Sequence, residues 1–153
     1  MLHNAAVQDI VNKGKGIVAL NKIKQHQLIL EEKPVIILET PDKTIREDIT
    51  KDLWLKYDDL CDEKRDKVKN LCPDNCPVVK RLNAQKLYLK FKSNAFVNTE
   101  TEDFNLFITA SRFNHSCLPN VGRDFSTDTD GNTIQRFFAI RDIQCIYNFV
   151  SDC

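Results

Sequence analysis

Short runs of branched apolar side chains, separated by polar residues and glycines, mark the first forty residues of the chain. Each run is four to six residues long, a length and composition typical of β-strands. Gly14 and Gly16 precede the first run and predict a turn that leads into it. Pro34 opens the third run, where its missing N–H costs no ladder hydrogen bond. The runs lie at residues 17–20, 27–31 and 34–39.

Between residues 42 and 91 the apolar positions fall three or four apart, which is the period of an amphipathic helix. A proline-containing breaker at 72–77 separates this stripe from a second helical stretch, predicted over 79–91. Charged side chains occupy the remaining positions, as expected of a solvent-facing helix surface. The first stripe consists of Ile45, Ile49, Leu53, Tyr57, Leu60, Val68 and Leu71, and Trp54 and Cys61 widen it.

The last third of the chain predicts a β-hairpin after a polar loop at 98–103. Its arms are expected at 121–125 and 134–143, and Asp130-Gly131-Asn132 supplies the turn. Short strands at both ends of the sequence, with helices between them, indicate an α+β fold. We expect a single domain over 1–153, with N-terminal strands at 13–40, a helical insert at 42–91 and a C-terminal part at 93–150.

Composition narrows the classes of function. Of the 153 residues, 42% are hydrophobic and 29% charged, a globular composition that argues against disorder. Lys plus Arg equals Asp plus Glu, 22 each, so the zero net charge gives no support for direct nucleic-acid binding. No apolar run approaches the ~20 residues of a membrane span, and the N-terminus does not resemble a secretory signal. We therefore expect a protein of the nucleus or cytoplasm with reduced cysteines.

Three groups of residues could carry chemistry. Asn114-His115-Ser116-Cys117 has the side chains of a metal or nucleophile site, and a hydrogen-bonded tight turn is the alternative interpretation. Gly14-Lys15-Gly16 suggests a phosphate loop but lacks the further glycines of one. Cys61, Cys72 and Cys76 could bind zinc, although their spacing does not match the paired cysteines of known zinc sites. We therefore predict no metal site.

Taken together, several stretches resemble the SET domain of protein-lysine methyltransferases. Residues 13–19, Lys-Gly-Lys-Gly-Ile-Val-Ala, and 28–34 resemble the opening of that domain. Residues 112–120, Arg-Phe-Asn-His-Ser-Cys-Leu-Pro-Asn, resemble its Asn-His-Ser-Cys-x-Pro-Asn signature, and 138–143 resemble the strand that follows. Residues 93–96 resemble the branch of SET-plus-MYND and fungal SET proteins, without the MYND finger. The resemblance implies methyl transfer from S-adenosylmethionine to a lysine of a protein substrate, histone or non-histone.

The resemblance also assigns residues to the cofactor. The side chains of Lys13 and Lys15 would lie near its charged end, and Gly16 would let the backbone approach it closely. A solvated turn is the alternative interpretation for the two lysines.

The resemblance assigns the rest of the cofactor site to the second half of the chain. Asn94, expected in a loop, would hydrogen-bond the amino-acid part of the cofactor. Asn114 and His115 would contact the adenosine portion, partly through backbone groups. Phe113 is a candidate for an aromatic wall of the lysine channel, and a core residue is the alternative interpretation.

The sequence departs from the SET pattern after Ile143. The family has a Gly-Glu-Glu segment there, followed by a short strand ending in a tyrosine whose hydroxyl orients the lysine and the cofactor. No Gly-Glu-Glu occurs in 144–150, and Val150 falls at the position of the tyrosine. Tyr147 is the candidate catalytic residue, although three steps along a strand would turn it to the opposite face. We therefore expect the C-terminal closure of the fold to be incomplete.

Three other interpretations follow from this altered ending and from the polar motif at 114–117. The chain could be a catalytically dead SET-like module that binds proteins, or a truncated fragment of an active enzyme. It could also be a zinc-dependent hydrolase that uses His115 and cysteines, although the sequence offers no His-rich ligand set.

Overall fold

The computed structural model describes residues 1–11, 14–39, 46–71, 83–145 and 149–151. Short strands and helices share this part of the chain, which confirms the predicted α+β class. The strands are β1 (Ala5–Ile10), β2 (Gly14–Ala19), β3 (Leu28–Glu32), β4 (Ile36–Leu38), β5 (Ala95–Val97), β6 (Phe104–Leu106), β7 (Asn114–His115), β8 (Val121–Thr127), β9 (Thr133–Ala139) and β10 (Val150–Ser151). The helices are α1 (Arg46–Asp58), α2 (Asp62–Lys69) and α3 (Ala84–Asn94), and a 3₁₀ helix covers Ala110–Arg112.

The backbone divides into two compact units. The first unit contains Met1–Lys33 and Thr109–Cys153, and the second unit contains Pro34–Ile108. The second unit therefore holds α1, α2 and α3 together with β4, β5 and β6, whereas the first unit holds the other described strands and the 3₁₀ helix.

The first unit opens with an antiparallel hairpin of β1 and β2, paired from Ala5↔Ala19 to Ile10↔Gly14. Strand β2 was expected from the run at 17–20, but β1 was not predicted from the sequence. Its residues mix apolar and polar types and are half-buried or exposed, so they give a weak strand signal. The backbone of β2 supplies the hydrogen-bonding partner that makes this segment a strand.

A three-stranded antiparallel sheet in the order β3-β9-β8 forms the centre of the first unit. Strands β8 and β9 pair from Val121↔Ala139 to Thr127↔Thr133, which confirms the predicted hairpin. The second arm ends at Ala139 rather than at Ile143, because Ile143 instead forms a bridge with Ile23. The buried apolar residues of this unit are Ile17, Val18, Ala19, Ile23, Ile29, Leu30, Ala110, Phe113, Val121, Ile134, Phe137, Ala139, Ile143 and Phe149.

The second unit packs its helices with a small antiparallel sheet of order β4-β6-β5. Its core confirms Leu53, Tyr57, Val68 and Leu71 of the predicted stripe, whereas Ile49 and Leu60 are partly buried and Ile45 lies outside the described residues. The stripe forms two helices instead of one. Lys56 in the last turn of α1 favours a helix C-terminus there, and Asp62 and Glu63 favour the helix N-terminus where they lie. Cys61, expected on the buried face, is exposed between the two helices. The core consists of Ile36, Leu38, Leu53, Tyr57, Val68, Leu71, Leu87, Phe91 and Leu106.

A buried lysine joins α3 to the end of α2. Lys90 is only 6% exposed, and its ammonium donates to the carbonyls of Lys69 at 2.8 Å and of Leu71 at 2.7 Å. Carbonyls at a helix C-terminus have no partner within the helix, so this cation satisfies them. Helix α3 begins at Ala84, where the side chain of Asn83 accepts a hydrogen bond from the Lys86 N–H; the predicted start at 79 and the breaker at 72–77 lie outside the described residues.

The β8–β9 hairpin depends on a close approach at Gly122. A Cβ at this position would lie 2.7 Å from Ile140 Cγ2 and 2.9 Å from Phe138 Cε2. We predict that Gly122→Ala lowers the free energy of unfolding by about 1–3 kcal/mol, because overpacking forces these side chains from their rotamers. Urea denaturation followed by circular dichroism measures this change.

The control for Gly122 is Ser126→Ala on the same strand. The buried Ser126 Oγ has no hydrogen-bond partner among the described residues, so its removal should be neutral or slightly stabilising. A Gly122→Ala variant as stable as the wild type would contradict the close approach.

The turn of the hairpin is held by the carboxylate of Asp128. Its Oδ1 accepts from the backbone N–H groups of Asp130 at 2.9 Å and Asn132 at 2.8 Å, and its Oδ2 forms an ion pair with Lys33. The hydrogen bond from Lys33 and those from the turn hold the pKa of Asp128 well below its usual range. The turn therefore depends on an ionised side chain.

Because the pKa of Asp128 is lower in the folded state, its stabilisation is complete above the unfolded pKa of about 4 and is lost as the pH falls. We predict that Asp128→Asn destabilises the protein at pH 7 and that the difference from the wild type shrinks below about pH 3. Melting temperatures measured across this pH range test the prediction. Asp124→Asn removes the same charge from an exposed position on β8 and should lower the melting temperature less. An equal loss in both variants would count against the turn contacts.

Candidate functional site

The C-terminal residues of the described chain bring together two segments that are far apart in sequence. The Phe149 N–H donates to the carbonyl of Ile17 in β2 at 2.9 Å. The next two residues, β10, pair in parallel with β7 through Val150↔Asn114 and Ser151↔His115. Residues 149–151, called the tail below, thus lie alongside β2, called the glycine strand, and alongside the start of the polar motif at 114–117. This pairing is two residues long.

Aromatic packing fixes the same place from the inside. Phe113 stacks on Phe137 with ring centroids 4.5 Å apart and meets the edge of Phe149 at 6.1 Å. Phe137 and Phe149 are fully buried and Phe113 is 5% exposed. Each ring of this kind buries a large apolar area, so the cluster anchors the tail and the residue before Asn114. Phe113 therefore packs as a core residue, which was the alternative to its interpretation as a wall of the lysine channel.

The segment at 112–120, called the signature segment below, is fixed at both ends. At its start, the carboxylate of Glu32 accepts from the N–H groups of Thr109 and Ala110, which precede the segment by one 3₁₀ turn. At its end, Arg141 Nη2 donates to the Leu118 carbonyl at 2.9 Å, and the Ile140 N–H donates to the Asn120 carbonyl at 3.0 Å. The polar motif is therefore held in a defined backbone conformation.

A family model for the SET domain matches residues 14–146. This chain belongs to the SET domain family. The crystal structure of a "putative histone methyltransferase" from Plasmodium falciparum matches 98% of this chain and 92% of its own, with a TM-score of 0.53 and 12% identity. That likeness shows that the two proteins share a fold.

No curated protein matches the sequence significantly. In the described part of the chain, no helix has the length and apolar character needed to cross a membrane.

Three of the predicted cofactor residues of this SET domain lie beside the tail. Gly16 is buried in β2 opposite Gln8, next to the carbonyl of Ile17 that receives the Phe149 N–H. Asn114 and His115 form β7, in which Asn114 is half-buried and His115 is exposed. The backbone therefore brings the glycine strand and the polar motif to one region of the first unit.

Lys15 lies at the surface of the β1–β2 hairpin. Its ammonium is 3.2 Å from Asp9 Oδ1, its cross-strand neighbour, and both side chains are mostly exposed. Such an exposed pair contributes little to stability and breaks easily. Gly14, which opens the strand, has a φ of 70°, a left-handed conformation that favours glycine. Lys13 lies outside the described residues.

Asn94 belongs to the second unit. It was expected in a loop, but it is the last residue of α3, and its Nδ2 donates to the carbonyl of Lys90 at 2.8 Å. The hydrogen bond ties the Asn94 side chain to the preceding turn of its own helix.

The candidate catalytic residue Tyr147 lies outside the described residues, as do Cys72 and Cys76 of the considered zinc group. Among the residues that the structure describes, no three His, Cys, Asp or Glu side chains are grouped to hold a metal ion. Cys117 and Cys145 are exposed and form no disulfide.

Sequence reasoning missed Glu32 and Phe149 as residues that organise the site. No sequence signal distinguished Glu32 from Glu31, because alternation along the strand places Glu31 on the face of the buried Ile29 and Glu32 on the face of the buried Leu30. Phe149 offered no such signal, since its burial depends on a contact with a strand more than a hundred residues away.

Proposed function

We propose that this SET domain is an S-adenosylmethionine-dependent protein-lysine N-methyltransferase, acting as a single SET-like domain over 1–153. One observation carries the proposal. The tail joins β2 at Ile17 to β7 at Asn114, so the glycine strand and the signature segment share one region of the first unit. A protein lysine, histone or non-histone, is the proposed substrate.

The residues present suit the chemistry of this cofactor. Its amino-acid and adenosine parts require hydrogen-bond donors and acceptors, and Asn114, His115 and strand backbone groups provide both. Gly16 has no Cβ, so a ligand can approach the backbone of β2 closely. When bound, S-adenosylmethionine supplies a methyl group on a positively charged sulfur. Asn94, Lys13 and Lys15 are proposed as further contacts to its amino-acid part.

Positioning supplies much of the rate of such a displacement, because the attacking amine and the methyl carbon must lie in line. A substrate lysine attacks only after it loses its proton, and an apolar surrounding lowers the pKa of an amine. The rigidity of the signature segment, held by Glu32 and Arg141, serves the first requirement. Tyr147 is the phenol proposed to orient the lysine.

A non-catalytic SET module is the second candidate. It is favoured by the sequence at 144–150, which has no Gly-Glu-Glu and places Val150 where the resemblance expects a tyrosine. Such a module would keep the backbone of the site and bind the cofactor or a protein without methyl transfer.

Titration calorimetry with S-adenosylmethionine tests the proposal, followed by transfer of labelled methyl groups to histones and bulk protein. We predict that Asn114→Ala weakens cofactor binding by about tenfold or more, because it removes side-chain hydrogen bonds worth about 1–3 kcal/mol. Asn21→Ala, an exposed asparagine elsewhere in the first unit, should leave binding unchanged.

The outcomes separate the candidates. Absence of binding at millimolar cofactor would contradict cofactor use. Binding without transfer to any protein would support the non-catalytic module.

A further inference from the structure

The backbone before the signature segment is held by one carboxylate from another strand. Glu32, the last residue of β3, accepts from the Thr109 N–H at 2.9 Å through Oε1 and at 3.1 Å through Oε2. Its Oε2 also accepts from the Ala110 N–H at 2.8 Å. Both oxygens are therefore engaged with two successive amides, 77 and 78 residues away in sequence. An ionised acceptor makes such hydrogen bonds about twice as strong as neutral ones.

The surroundings of Glu32 strengthen this contact. The residue is half-buried, and its cross-strand neighbour on β9 is the fully buried Gln135. Neighbours across a strand pair lie on the same face, so Gln135 shields one side of Glu32 from water. Hydrogen bonds are electrostatically stronger where water is excluded.

The held amides lead directly into the proposed site. Thr109 and Ala110 start a 3₁₀ turn in which the N–H groups of Arg112 and Phe113 donate to the carbonyls of Thr109 at 2.9 Å and Ala110 at 3.0 Å. Phe113 stacks on Phe137, and the next residue is Asn114 of β7. A rotation of this turn would move Asn114 and the strand with which it pairs.

We infer that Glu32 is a positioning residue that sets the orientation of Asn114 and His115 through the turn at 109–113. The inference rests on the proposed function for its binding consequence, but the positioning itself is a property of the fold. Glu32 does not touch the ligand. It determines where the ligand-contacting strand lies.

Glu32→Gln and its neighbour Glu31→Gln form a matched pair of test variants. Both remove one negative charge from the end of β3. Glu31 pairs at the surface with Arg136, at 2.7 Å, and does not contact the turn. In Glu32→Gln one carboxylate oxygen becomes an NH₂ donor that faces backbone donors, so one of these hydrogen bonds is lost.

Calorimetry with S-adenosylhomocysteine, the product form of the cofactor, measures binding at a temperature well below melting. We expect Glu32→Gln to weaken binding by about tenfold or more, since small misplacements of a site have effects of this size or larger. Glu31→Gln should stay within about twofold of the wild type, as a surface ion pair would. A role in global stability alone would leave the affinity of the folded protein unchanged.

Hydrogen exchange gives a readout that needs no ligand. We expect faster amide exchange in 109–116 of Glu32→Gln, with no change in β9, and no change in either segment of Glu31→Gln. Glu32→Asp, which withdraws the carboxylate by one methylene, should show the same faster exchange in 109–116. It replaces Glu32→Gln as the test variant if Glu32→Gln does not fold.

Each outcome decides the inference. Wild-type binding and exchange in Glu32→Gln would overturn it, as would equal loss of binding in both variants. If the wild type binds no cofactor, the proposed function fails, and exchange alone decides the positioning role: faster local exchange supports it and unchanged exchange overturns it.

Discussion

The hydrogen bond from the Phe149 amide to the Ile17 carbonyl joins the two halves of the first unit at the proposed site. Burial of the Phe149 ring against Phe113 supports this hydrogen bond. A buried aromatic side chain contributes about 1.5–3 kcal/mol, more than the net value of about 1 kcal/mol for one amide hydrogen bond. The parallel pairing of β10 with β7 continues directly from it, with Val150 opposite Asn114 and Ser151 opposite His115. Without this contact, the glycine strand and the polar motif would have no common neighbour in the tail.

The polar interactions around this contact are arranged to fix backbone rather than to add stability broadly. Glu32 bonds to a main-chain N–H just before the signature segment, and Arg141 bonds to the Leu118 carbonyl near its end. Asp128 does the same for the β8–β9 turn, and Lys90 for the end of α2. Ion pairs between exposed side chains, such as Lys15 with Asp9, contribute little by comparison. The charged residues that matter most here are those that bond to main-chain atoms within the fold.

Local patterns predicted much of this architecture. Strands β2 and β3, the β8–β9 hairpin and the helical character of 46–71 follow from apolar periodicity, and the family follows from the signature segment. Other elements depend on contacts distant in sequence. Strand β1 exists because β2 offers it a partner, and the helical stripe divides where Lys56 favours a helix end and Asp62 favours a helix start. The ligand-facing candidates could be named from the motif, but the residues that hold them, Glu32 and Phe149, required the tertiary structure.

The central claim is that the tail pairs with β2 and β7, and amide exchange at Phe149 tests it most directly. Exchange measured by nuclear magnetic resonance in the unliganded protein should show the Phe149 amide protected to the same degree as the paired amides of β9. Exchange of Phe149 as fast as in an unfolded peptide, with β9 still protected, would contradict the account. The three segments would then share no stable structure, and the proposed site would not exist in the free protein.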